Sequence, residues 1–91
     1  MEARYLYVMT TKKKLKLLDP EAEAVKLGAR IKQLRKDAGF TNADDFAYSY
    51  SFPRSGYGRI EQGKNIEFFT LIKILNCHGI SYSEFFDKGF E

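Results

Sequence analysis

Seven places in this 91-residue chain carry a signal for a helix to start or stop, and together they forbid any long element. Asp19-Pro20, followed by Glu21 and Glu23, supplies a side-chain acceptor, a fixed φ and negative charge at the positive end of a helix dipole. Gly39 offers a stop, Thr41-x-x-Asp44 a second cap, and Pro53 a second start. The run Gln62-Gly63-Lys64-Asn65 interrupts the pattern again, Gly79 closes the next segment, and Ser81-x-x-Glu84 forms a complete capping box. Five short helices follow, at about 20–38, 42–49, 53–62 and 67–78, with a last one behind Ser81.

The apolar residues between these boundaries recur at helical spacing. Leu27, Ile31, Leu34 and Ala38 mark one face of the first helix; Phe46, Ala47 and Tyr50 follow the second cap. Tyr57 and Ile60 give the third helix one buried face, which turns Arg54, Ser55, Gly58 and Arg59 outward. Phe68, Leu71, Ile72 and Leu75 form the strongest stripe of the chain, and Ile80 can staple onto Phe85. With 44% hydrophobic residues, this amounts to one small all-α domain over residues 19–91, preceded by an extended tail over residues 1–18.

Charge is distributed unevenly. Residues 1–40 hold ten Lys/Arg against five Asp/Glu, whereas residues 41–91 hold five against seven. The excess suits a polyanionic partner, and it equally suits plain solubility. No apolar run reaches the roughly 18 residues of a membrane span, and Tyr5 to Met9 is too short for the core of a signal peptide. Cys77 has no second cysteine to pair with and His78 is the single histidine, so neither a disulfide nor a metal site is expected, and a cytoplasmic setting is. The adjacent Cys77 and His78 point in different directions on a helix and lack a third orienting group, so enzyme activity and a cofactor are not expected either.

Two short helices joined by a tight turn suggest a DNA binder. The span Leu27–Phe86 resembles the Cro/repressor-type helix-turn-helix family, also called the xenobiotic-response-element (XRE) family, through LGARIKQLRKDAGFT, ADDFA, SFPRSGYGRIEQGK, TLIKIL and GISYSEFF. The resemblance implies a five-helix, lambda-repressor-like bundle. It implies a transcription regulator on double-stranded DNA, a repressor or an autoregulating antitoxin, with helix 53–62 in the major groove. It also implies a homodimer on a near-palindromic site, with a cognate toxin as a further partner. In this pattern Ala47 is the small residue at the crossing of the two helices, and Phe46, Phe52, Tyr57 and Ile60 fill the core beneath the turn. Glu61, at the unfavourable end of a helix dipole, calls for a basic partner, Arg30 or Arg35. The sequence departs from the family at Ala43, where a phosphate-contacting Gln is usual, and at Ser51, where the turn usually has Gly. These departures keep a second reading open, a protein-interaction module on the same fold without operator binding.

Gly56 and Gly58 each cost a helix about 1 kcal/mol relative to alanine. Close approach to DNA would justify them; a weakly helical segment that orders on binding is the alternative. Arg54 and Arg59 can each present two donors to guanine, with Arg54 favoured for base contact, and Ser55 can reach a base edge or a phosphate. Lys64 and Asn65 are placed to grip the backbone. Lys12, Lys13, Lys14 and Lys16 read either as a DNA-wrapping arm or as a solvated tail, and Arg4 to Met9 as a strand that a second copy could exchange. Phe86 and Phe90 are the alternative dimer surface, while Met9 is a second candidate start.

Overall fold

The computed structural model describes residues 17–91, and every element among them is an α-helix: α1 Pro20–Asp37, α2 Ala43–Ser49, α3 Arg54–Glu61, α4 Phe68–His78 and α5 Tyr82–Phe86. The tail residues Lys12, Lys13, Lys14 and Lys16, and the strand-like Arg4 to Met9, lie outside the described residues.

Local chemistry sets the boundaries. The Asp19 carboxylate accepts from the Ala22 amide at 3.2 Å, and Pro20 opens α1 where its missing N–H costs nothing. Ser81 and Glu84 exchange side-chain-to-backbone bonds of 3.2 and 2.9 Å, completing the box at α5. Gly39 and Gly79 take φ of 96° and 63°, the left-handed conformation that ends α1 and α4. One cap differs from expectation: Asn42, not Thr41, caps α2, accepting from the Asp45 amide at 2.8 Å. Both candidates stand one residue apart with an acid three positions on, so the pattern alone allowed either register.

The core gathers on Phe46, which is fully buried and has the rings of Tyr57, His78 and Phe40 at 5.0, 5.2 and 5.3 Å. Ile31, Ala47, Ile74 and Phe85 are buried completely beside it. Phe68 does not belong to this core, contrary to the expected stripe: it is 60% exposed, and Ile74 takes the inward position. α4 is apolar on nearly every face, so periodicity alone cannot say which face is covered.

α3 packs most extensively on α2 and α1. The α1 crossing is tight because Gly28 has no side chain: a Cβ there would come within 2.5 Å of the Ile60 carbonyl oxygen and 2.8 Å of that of Glu61. Next to this seam Arg35, 4% exposed, donates to both Glu61 carboxylate oxygens at 2.8 and 3.0 Å and to the Phe40 carbonyl at 2.8 Å. Arg35 is thus the partner of Glu61, and the bidentate pair locks the end of α3 to α1. Arg30 serves elsewhere, donating to the carbonyls of Phe85 and Glu84 at 2.8 and 2.9 Å and so holding α5.

Candidate nucleic-acid interface

The turn between α2 and α3 is the four residues Tyr50–Pro53. Ser51 takes φ of 62°, a left-handed conformation that costs a non-glycine residue roughly 1–2 kcal/mol. Phe52 then buries beneath the turn, its amide donating to the Ala47 carbonyl at 2.8 Å. This turn fixes how α3 leaves α2, and Tyr57, 1% exposed, fixes its rotation.

With Tyr57 inward, Arg54, Ser55 and Arg59 are exposed. They form two stripes, because residues four apart share a helix side. Ser55 and Arg59 face a cleft of about 510 Å³ between α3 and α4, which Gly56, Lys64, Asn65, Thr70 and Lys73 also line. Arg54 and Gly58 lie on the other stripe, outside this cleft, with the Arg54 guanidinium 3.9 Å from the Asp44 carboxylate in the first turn of α2. Both groups of that pair are well exposed, so it contributes little to stability.

The expected residues Ser55, Arg59, Lys64 and Asn65 therefore meet on one cleft, while Arg54 and Gly58 stand at its shoulder. Lys73 joins them without having been singled out in the sequence; its ammonium lies 4.4 Å from the centre of the Phe52 ring. Its signal was a lone cation between the apolar Ile72 and Ile74, which marks the polar edge of α4. Of the five Lys/Arg in residues 41–91, four (Arg54, Arg59, Lys64 and Lys73) stand on α3 or its cleft, and only Lys88 does not. The low charge of this half conceals that concentration. Asp44 stands 3.9 Å from Arg54, and Glu67 lies in the cleft wall.

Neither glycine of α3 is explained by packing among the described residues. A Cβ on Gly58 would meet nothing within 4 Å, and one on Gly56 only the Pro53 Cβ at 3.7 Å. The N-termini of α3 and α4 have no side-chain cap, which leaves backbone amides at both unsatisfied.

Burial shifts the titratable groups behind this face. The Tyr57 hydroxyl is buried without a hydrogen-bond partner, and burial, then the Glu61 carboxylate, pushes its pKa far up, so it stays protonated. Burial and then nearby Arg30 lower the pKa of His78, whose ring stacks on Phe46 and whose Nε2 is likewise unpartnered. Burial raises the thiol of half-buried Cys77, against a smaller opposite effect of Lys73. Among the described residues no three His, Cys, Asp or Glu side chains gather as a metal site, and no helix is long and apolar enough to cross a membrane. Comparison with models of known families, with curated proteins and with solved structures returned no match.

Proposed function

We propose that this protein is a sequence-specific regulator that binds double-stranded DNA through a Cro/repressor-type helix-turn-helix, with α2 and the Tyr50–Pro53 turn supporting α3 as the reading helix. The observation that carries this is the outward face of α3, where two glycines that no packing among the described residues requires stand among exposed Arg54, Ser55 and Arg59. Four of the five cations of residues 41–91 concentrate on that face and its cleft.

On this reading Arg54 presents its forked donors to a guanine edge, and Gly58, on the same stripe, lets the helix axis approach the groove. The weak, exposed contact of the guanidinium with Asp44 presents little obstacle to this. Arg59, Lys64, Asn65 and Lys73 hold phosphates along the cleft, aided by the uncapped amides of α4, and Ser55 contacts a phosphate or a base edge. A homodimer would double these contacts on a near-palindromic site.

A second reading, a protein-interaction module that does not bind an operator, draws support from the carboxylates Asp44 and Asp45 in the first turn of α2, the end that would face a phosphate. Selection of bound fragments from random duplex DNA, followed by shift assays over a range of salt, separates the two. The regulator enriches one motif, and its affinity falls steeply with salt, by about 0.9 log units per log unit of salt for each phosphate neutralised. No enriched motif and no salt dependence would leave the interaction module.

A further inference from the structure

The side of the domain bounded by α1, α4 and α5 carries an apolar groove of about 600 Å³, lined by Leu18, Ala24, Leu27, Phe68, Phe86 and Phe90 among others. Its walls are more open to water than an interior would be: Leu18 is 74% exposed, Phe68 60% and Phe86 45%. Phe69, 85% exposed, and Tyr82, 48%, extend the patch beyond the rim. Scattered surface apolar residues need no explanation, but a contiguous aromatic groove of this size implies an occupant.

Two features select one. The first is where the described chain begins: Leu18, its second residue, forms part of the groove's wall. The residues that come before them include Tyr5-Leu6-Tyr7-Val8-Met9, five consecutive apolar residues that would span about 17 Å in extended form. Seven residues, Thr10 to Lys16, connect that run to the groove's edge and reach at most about 25 Å, enough to double back. A tether this short presents the run at an effective concentration on the order of millimolar, which a free partner must outcompete.

The second feature is charge. One carboxylate, Glu23, lines the groove and pairs with Lys26 at 3.2 Å, and Asp19, Asp87 and Glu91 each neighbour a lining residue in sequence, whereas among the described residues no ammonium or guanidinium group lines it. The connecting Thr10–Lys16 carries Lys12, Lys13, Lys14 and Lys16 and no acid. An apolar run behind a basic connector matches an apolar groove with an acidic rim.

We propose that the Tyr5–Met9 run of this same chain docks in the groove between α1, α4 and α5, with the lysines of residues 12–16 lying against its acidic rim. The docked run covers Phe68 and Phe86 and takes the place that a second copy would need in order to pair through that aromatic surface. The lysines are then neutralised within the chain instead of extending along DNA phosphates. This inference does not depend on the DNA-binding reading.

Amide hydrogen exchange on the full-length protein tests it. Docking predicts that amides of residues 5–9 exchange at least about tenfold more slowly than in a free peptide. The protection should be unchanged over a roughly hundredfold dilution, because the contact is intramolecular. Leu6→Asp, outside the helical core, should return these amides to free-peptide rates. Phe86→Glu and Phe68→Glu should do the same from opposite walls of the groove, with helix content by circular dichroism retained in at least one of them. Free-peptide rates in the unaltered protein overturn the proposal. So does protection that fades on dilution alongside a dimer in sedimentation, since the groove then belongs to a second copy. Protection that survives the wall substitutions overturns it as well, by placing the run elsewhere.

Discussion

Two surfaces of α3 use glycine for opposite reasons. On the inner side, at the crossing with α1, Gly28 touches the α3 carbonyls so closely that a methyl group would lie 2.5 Å from the Ile60 oxygen, and a Cβ on Gly63 would lie 2.9 Å from the Val25 backbone. On the outer side Gly58 has nothing within 4 Å. The inner glycines are demanded by neighbouring backbone. The outer ones weaken a helix, and among the described residues no close contact offsets the loss. A residue that costs stability and has no internal use directs attention to what lies outside, and the surrounding arginines and lysines give that exterior a sign.

The largest expected effect is at the inner seam. Arg35→Met leaves the Glu61 carboxylate buried and unpaired, and chemical denaturation should report a loss of about 3–5 kcal/mol. A loss below about 1 kcal/mol would mean that the seam tolerates what its geometry forbids.

Gly28→Ala should come next, at about 1–3 kcal/mol, because the atoms it meets are backbone and the two helices must separate. A neutral result in thermal unfolding would remove the contrast between the two kinds of glycine.

On the outer side the expected losses are in binding, not folding. Arg54→Ala should leave the melt unchanged but cost about 1–3 kcal/mol at one base position of the selected DNA motif, while Lys64→Ala should weaken all sequences alike. Equal, sequence-independent losses from both would reassign Arg54 to phosphate.

Gly58→Ala sharpens the comparison further, since one substitution should move the two properties in opposite directions. With a helical backbone and free space around it, the alanine should stabilise the fold by up to about 1 kcal/mol, yet reduce DNA affinity by crowding the groove. Unchanged or tighter binding would show that the outer glycines do not serve close approach.

The smallest effect concerns pH and belongs to the interior. His78 is buried with its folded pKa depressed, so the unfolded chain takes up a proton more readily than the native one. Stability should be complete above the ordinary histidine pKa of about 6.5 and decline as pH falls through that value towards the lower native one. His78→Phe, which keeps the stack on Phe46, should flatten the pH dependence of the melting temperature in that range. An equally steep dependence in the variant would locate the proton elsewhere.

Helix boundaries were readable because capping is local. Asp19, Ser81 with Glu84, Gly39 and Gly79 each act within four residues of their own position, where sequence and structure carry the same information. The outward set of α3 followed from one buried tyrosine and the period of a helix. At the α2 cap the choice between Thr41 and Asn42 was local, but at the other departures the deciding contact lay far along the chain. Phe68 and Ile74 were equally apolar, and only the placement of α4 chose between them. Lys73 joined the site because α4 runs beside Phe52, which no pattern within α4 records.

The sequence by itself determined five short helices, their ends apart from the α2 cap, and the outward set of α3, because hydrogen bonds to the nearest amides and the 3.6-residue period need no partner element. The tertiary structure alone decided which glycines are structural, which arginine meets Glu61, and which aromatics stay in water. Gly28 against Ile60, and Arg35 rather than Arg30 against Glu61, are separated by 32 and 26 positions in the sequence. Contacts at that distance depend on how whole helices cross, and the crossing is set by the joint packing of the core around Phe46, which no single segment encodes.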